Sequence, residues 1–379
     1  MLPRSLVCVL FLIPAIAGKA EDLVHLQGRT MGTVYSLQWV GASSQPVPRQ
    51  VREHVETRLL ALEATFSTYR ADSELSRFNT VSDADWHEVS PELLFVLCRA
   101  MEIARLSQGA FDPTVKPFVD LWGFGAGPLI AQEPDPAQIA QAFPAVGFAL
   151  LEIDADQSRI RKCHPGLQLD LCGIAKGYAV DEVSRVLCRL HLSRHLIEIG
   201  GELRATGRDH QNRPWRVLIE PASPRKQPAA LVDLENQSLA TSGGYRQLLT
   251  HSSRAVSHTI DPKTGAPVQN DLLAASVLAE DCLTADALAT VCMVLGSADS
   301  LAFAEAHAVP ALLQVSAPGH FSPLQSSLGR QAFQTQPVPS AASALMVPVD
   351  LPHAMQMLVT LALCGLTCGM VLLSRIRPH

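Results

Sequence analysis

The apolar residues of this chain fall into two rhythms. Thr33, Tyr35, Leu37 and Trp39 alternate with smaller or polar residues, the period-two pattern of a half-buried strand. Val51, Val55, Leu59, Leu62 and Phe66 recur every three or four residues, which places them on one helix face. Ser90-Pro91-Glu92 is a cap followed by proline in the first turn, and predicts a helix to about Ser107 that stops near Gly109. Leu167 to Leu171 predicts a strand running into Cys172-Gly173-Ile174-Ala175-Lys176-Gly177, with a helix from there to about Leu190. Further strands are expected at Leu196 to Ile199, Trp215 to Glu220, Ser257 to Ile260 and Leu273 to Ala279, and a helix at Thr284 to Leu295. No short repeat interrupts this mixture, and no internal linker is better than the loop at 126–138. The expectation is an α+β fold, one compact body over residues 23–330 with mixed sheets and helices.

Both ends break the rhythm. Arg4, an apolar run from Leu6 to Ile13 and the small residues Ala15 and Ala17 predict a signal peptide over residues 1–20. Ala354 to Ser374 is a run of 21 residues without a charge, and a helix of that length spans roughly 30 Å, the apolar core of a bilayer. This predicts one transmembrane helix over 354–374, reached through a linker at 331–353 rich in Pro, Ala and Ser. Arg375 and Arg377 follow the run directly, so the tail at 375–379 is expected in the cytoplasm. The main body then lies outside, at the periplasmic face of a bacterial inner membrane.

Composition narrows the function classes. Thirty Lys and Arg against 36 Asp and Glu leave a net charge of −6, whereas a nucleic-acid binder needs a concentrated positive footprint. No nucleic-acid partner is therefore expected. A hydrophobic fraction of 47% against 17% charged residues excludes a largely disordered chain, and 23 Gly with 26 Pro argue against a simple helical bundle. Of the nine cysteines, Cys8, Cys364 and Cys368 lie in the apolar ends. The other six show no CxxC pair and no metal-ligand spacing, and are expected to be small core residues rather than a disulfide framework.

Chemistry is suggested at a few places. Gly173 to Gly177, Gly200-Gly201 and Thr241-Ser242-Gly243-Gly244 are glycine-bearing turns where backbone N–H groups can approach an anion, and Lys176 could pair with a phosphate. The spacing is not that of a Walker loop. Asp286 and Thr290 are four residues apart and share a helix face. With backbone carbonyls nearby they suit a hard cation such as Mg²⁺; equally, such an Asp can serve the helix dipole and such a Thr can bond back to its own helix. Ser257-His258-Thr259-Ile260-Asp261-Pro262 sets a histidine just before a turn. Ala110-Phe111-Asp112-Pro113 and Leu121-Trp122-Gly123-Phe124-Gly125 read either as a surface for a planar ligand or as core packing.

Taken in order these segments are specific. Thr30-Met31-Gly32-Thr33, Ser67-Thr68-Tyr69-Arg70 with Ser73 to Asn79, Gly109 to Val115, Leu121 to Gly125, Asp170 to Tyr178, Glu198 to Glu202, Ala240 to Gly243, Ser257 to Pro262 and Ala285 to Thr290 closely resemble the motifs of the ApbE family, the FAD:protein FMN transferases. The resemblance covers about residues 25–325. It implies Mg²⁺-dependent cleavage of FAD, with FMN passed through its phosphate to a Thr or Ser hydroxyl of a partner protein and AMP released. By motif it implies FAD contacts at Met31, Tyr69, Ala110, Phe111, Asp112, Asp170, Lys176 and Ile260. Mg²⁺ would be held by the Gly173 carbonyl, Asp286 and Thr290, and His258 would be the base for the incoming hydroxyl. A membrane redox protein facing the periplasm is the natural acceptor class. Two positions depart from the pattern: Ala289 stands where some members carry a second carboxylate, and Gly244 where Asp, Asn or Ser is common. The alternatives are an FAD pyrophosphatase that releases FMN and AMP, and a membrane-tethered flavin carrier without catalysis. Retention of Asp286, Thr290, Lys176 and His258 speaks against the carrier.

Overall fold

A computed structural model describes residues 22–41, 47–127, 132–222, 229–244, 248–251, 254–317 and 320–335. The expected signal peptide, transmembrane run and tail lie outside the described residues, as does the linker beyond residue 335. Among the described residues the only helix long and apolar enough to cross a membrane is Cys282–Ala306, and its buried residues belong to the core.

The centre is an antiparallel sheet of eight strands in the order Asp22–Thr30, Thr33–Gly41, His195–Ile199, Glu202–Thr206, Gln237–Gly243, Leu272–Ala279, Ala311–Ala317 and His320–Gln325. Side chains alternate between its two faces, and both are buried. Ile197, Ile199, Val277 and Leu313 face the helices. Leu196, Leu278 and Leu312, one residue out of phase with them, face a second core built with the three-stranded sheet of Trp215–Ile219, Ala230–Leu234 and Phe333–Gln334. The helices over the first face are Pro48–Phe66, Pro91–Leu106, Cys172–Arg189 and Cys282–Ala306. Val51, Val55, Leu59, Leu62 and Phe66 are the buried stripe of the first of these, and Ser90 caps the second by accepting from Leu93 N–H, as the sequence pattern requires.

The α+β expectation holds, with local corrections. Leu167 to Leu171 is not a strand. Its alternate residues Leu167, Leu169 and Leu171 are buried, but its backbone pairs with a side chain instead of a neighbouring strand. Asn79 donates to the Leu169 carbonyl at 2.8 Å and accepts from Leu169 N–H at 2.7 Å, and Asp170 N–H donates to the Pro113 carbonyl. Burial supplied the alternation that a strand would show. Ser257 to Ile260 divides into the end of Arg254–Ser257 and the start of Ile260–Asp261, so His258 lies at a bend. The Cys282–Ala306 helix runs past Leu295 through a kink at Gly296, where φ is +76°. The body also outruns its expected end at residue 330. The helix Ser327–Ala332 and the strand Phe333–Gln334 belong to it, and Phe333 is buried. Among the described residues the six cysteines are free, but only Cys282 and Cys292 are buried; Cys163, Cys172 and Cys188 are exposed and Cys98 is intermediate.

Two helices set the geometry of the site, Cys172–Arg189 and Cys282–Ala306, here the lysine helix and the aspartate helix. Gly177 lets them meet. A Cβ there would fall 2.2 Å from the Cys282 carbonyl oxygen and 2.8 Å from the Asp286 Cβ, distances no side chain tolerates, so only glycine permits this approach.

Candidate active site

The aspartate helix begins under the lysine helix, and the two bind each other through carboxylates. Asp181 of the lysine helix accepts from the Cys282 N–H, with both oxygens at 3.0 Å, and from the Leu283 N–H. These are first-turn donors that have no partner inside their own helix. In return Asp286 accepts from the Gly177 N–H at 2.9 Å. The ordinary helical acceptor of that N–H is the carbonyl of Gly173. Gly173 itself packs against Thr290, whose Oγ1 would lie 3.0 Å from a Cβ at that position, and against the ring of Phe111. Gly173, Asp286 and Thr290 therefore lie close together.

Lys176 joins them to the sheet. Its ammonium is 2.9 Å from Glu202 Oε1 and 3.6 Å from Asp286 Oδ1. Glu202 opens a central strand directly after the Gly200-Gly201 turn. Burial raises its carboxyl, with Lys176 opposing and the nearby Asp286 charge adding to the rise. Burial likewise raises Asp286, with Lys176 and the Gly177 N–H opposing it. Burial alone would lower Lys176, but Asp286 and Glu202 outweigh it and hold the ammonium charged. The result is a buried pocket of oxygen donors carrying one resident cation. An all-oxygen set of carboxylate, hydroxyl and backbone carbonyl is what Mg²⁺ prefers, so these residues fit that ion.

The other expected residues lie as follows. Asp170 accepts from the Cys172 N–H at the start of the lysine helix and lies near enough to Tyr69 to raise its phenol, after burial as the larger cause. Tyr69 is 65% exposed, and its hydroxyl donates to the Phe124 carbonyl at 3.0 Å. The Phe124 ring in turn meets the His258 ring edge-on, 6.4 Å between centres. Met31 sits in a two-residue turn with φ of +47°, its N–H donating to Glu63. The Gly200-Gly201 turn closes on the neighbouring Thr33.

Two expected contacts are narrower than the sequence implies. Asp112 already has both oxygens engaged: Oδ1 accepts from Thr114 N–H and Oγ1–H, and Oδ2 from Phe148 N–H. Ile260 buries its side chain with Phe118 and Trp122. At both positions the backbone is what remains for a ligand. Conversely, the sequence pattern does not single out Glu202 and Asp181 as site residues. A carboxylate beginning a central strand directly after Gly-Gly is the signal that could have found Glu202. Asp181 carries none, because its partners are backbone groups a hundred residues away.

Comparison with known proteins places the chain among relatives. The sequence pattern described as the ApbE family matches residues 31–313. A protein named FAD:protein FMN transferase from Haemophilus influenzae is 34% identical over 328 residues, 85% of this chain and 95% of that protein. Its namesake from Vibrio cholerae is 35% identical over 310 residues, 82% and 92% of the two chains. Among solved structures, the flavin transferase ApbE from Vibrio cholerae superimposes with a TM-score of 0.76 at 35% identity, covering 82% of this chain and 99% of that one. The apo form of the Pseudomonas stutzeri flavinyl transferase ApbE gives a TM-score of 0.76 at 34% identity, covering 82% and 97%.

Proposed function

The chain belongs to the ApbE family and is an FAD:protein FMN transferase, and from that premise we propose that it moves FMN from FAD to a Thr or Ser hydroxyl of an acceptor protein and releases AMP. The acceptor oxygen forms a bond to the FMN phosphorus, the anhydride bond to AMP breaks, and the hydroxyl proton leaves to a base. The observation that carries this reading is the buried carboxylate pair of Asp286 and Glu202, bridged by the Lys176 ammonium, set against Gly173 and Thr290.

A dinucleotide with two linked phosphates brings negative charge that this pocket must meet. The Gly173 carbonyl, Asp286 and Thr290 would hold Mg²⁺ there. When bound, the ion supplies charge neutralisation at the reacting phosphates. Lys176 adds a fixed positive charge beside it. Tyr69, Met31 and the backbone of Ala110, Phe111 and Asp112 bind the flavin and adenine portions, and Asp170 holds the start of the lysine helix against them. His258, in ring contact with Phe124, takes the acceptor proton.

Purified protein incubated with FAD, Mg²⁺ and a flavin-binding periplasmic acceptor fragment should yield an in-gel fluorescent acceptor and AMP. Free FMN and AMP without a labelled acceptor would point instead to hydrolysis. Replacing His258 by Ala should slow transfer by roughly 10²–10⁴ with FAD binding little changed. Near-normal transfer by His258→Gln with an unaltered pH profile would remove the base. The sequence of residues 354–377 supports a periplasm-facing body anchored in the inner membrane. A reporter fused after His379 should then read as cytoplasmic, and a periplasmic signal would overturn that topology.

A further inference from the structure

The expected cation site is one carboxylate short, because Ala289 stands where some family members carry a second acid, and Ala289 is buried without a polar atom to offer. The sheet presents a carboxylate from the other side. Glu202 is 2% exposed. Its Oε1 is taken by Lys176 at 2.9 Å, but its Oε2 is buried and accepts no hydrogen bond from any described residue. A buried acceptor left unsatisfied costs on the order of 1–3 kcal/mol, more when charged, so a native fold keeps one where a water, an ion or a ligand completes it.

Glu202 cannot turn away to find a partner elsewhere. It is the first residue of its strand, paired to Ile199 on one side and Ala240 on the other. The turn before it is pinned by the Gly201 N–H donating to Glu198. Side chains alternate along a strand, so Leu203 goes to the second core while Glu202 points at the helices, where Lys176 also approaches Asp286. Had Glu202 been only a counter-ion for Lys176, one oxygen would have sufficed and the other could have been left in solvent. Mg²⁺ keeps several waters when protein supplies few ligands, and such waters need acceptors that orient them.

Resting on the reading that Asp286, Thr290 and Gly173 hold a divalent cation, we propose that Glu202 is a positioning residue that completes this site, its Oε2 accepting a hydrogen bond from the cation's hydration water while its Oε1 holds Lys176. Glu202 thereby stands in for the acid that Ala289 lacks, from the sheet rather than from the helix.

The test is a Mn²⁺ titration followed by electron paramagnetic resonance on the full-length protein loaded with FAD, with FAD alone as the blank. Wild type, Asp286→Asn and Glu202→Gln are compared. Gln keeps the volume and one acceptor for Lys176 but puts an amide donor where Oε2 was. Glu202→Gln should weaken Mn²⁺ binding roughly 10–100-fold, the usual effect of removing a group that orients a metal's ligands. The Mg²⁺ concentration for half-maximal transfer should rise by a similar factor. A merely structural role would shift the melting temperature and leave Mn²⁺ affinity alone, and a folded Glu202→Gln with wild-type Mn²⁺ affinity overturns the proposal. A wild type that binds no Mn²⁺, or an Asp286→Asn that binds as wild type does, overturns the cation reading together with it. Should Glu202→Gln fail to fold, Lys176→Met and Lys176→Met/Glu202→Gln make the same comparison without the ion pair, under the same criterion.

Discussion

Asp181 and Asp286 are the two carboxylates that join the lysine helix to the aspartate helix, and they are used differently. Asp181 receives the Cys282 and Leu283 N–H groups and the guanidinium of Arg204 at 3.2 Å. Arg204 reaches it from the strand that begins with Glu202, two residues on and therefore on the same face. Burial still pushes Asp181 up to about 6, with those two N–H groups and Arg204 opposing. Asp286 receives one N–H, from Gly177, with the Lys176 ammonium at 3.6 Å, beyond ordinary hydrogen-bond length. Both side chains are buried. The same strand serves both, Arg204 to the first and Glu202 through Lys176 to the second. One carboxylate has its accepting capacity filled by the fold; the other is held in place with capacity left over. A buried charge with spare capacity costs stability, and is retained where something else fills it.

The sharpest separation of the two comes from truncating each. Asp286→Ala should reduce transfer by ~10³-fold or more, since it removes the carboxylate on which charge neutralisation at the phosphates depends. The melting temperature should change little, because one backbone bond is lost and an unsatisfied charge is lost with it. Near-normal rates at low Mg²⁺ in this variant would break the assignment. Asp181→Ala should do the reverse. It strands two helix N–H groups and leaves Arg204 only the Ser238 hydroxyl and the Glu280 carbonyl, and breaking a buried pair on one side costs about 3 kcal/mol or more. Urea unfolding should show that loss, while kcat measured well below the melting point stays within a few-fold of wild type. Equal damage to both properties in both variants would dissolve the distinction.

How legible was this in the chain? The helices and strands whose faces are buried on one side were readable, as with Val51 to Phe66 or Thr33 to Trp39, because packing repeats the period of the element. Leu167 to Leu171 misled for the same reason. Its alternation is real, but Asn79 takes the place of a partner strand, and a side chain 90 positions away leaves no local trace. Gly173, Lys176, Asp286 and Thr290 were legible together only through the resemblance of their motifs; the structure sets Gly173 against Thr290 and Lys176 near Asp286. Glu202 and Asp181 were not, since what marks them is an unfilled or a filled acceptor, and that exists only once strand, turn and helix have come together. Asp112 shows the converse: its motif pointed to a ligand, and the fold engages both oxygens with Thr114 and Phe148.

The same distinction extends to a third buried group, with a smaller effect. His195 opens the strand that ends at the Gly200-Gly201 turn, and it is fully buried. Its Nε2 lies 2.8 Å from Ser184 Oγ and its Nδ1 2.6 Å from the Leu192 carbonyl, so both ring nitrogens are filled by the fold. By the rule that separates Asp181 from Asp286, it should act on stability and not on transfer. Burial pushes its pKa down to about 4, outweighing the Leu192 carbonyl, while the unfolded chain keeps the ordinary value near 6.5. The unfolded state therefore binds this proton first as pH falls. The contribution of His195 is fully present above about pH 6.5 and is lost as pH drops through 4, a change of roughly 3 kcal/mol. Urea midpoints for wild type should fall between pH 7 and pH 4, and in His195→Gln they should start lower and decline less steeply, with transfer at pH 7 unchanged. Parallel pH slopes in the two proteins would mean that acid sensitivity resides elsewhere. A large loss of transfer in a folded His195→Gln would mean that filled acceptors and donors in this fold are not confined to structure.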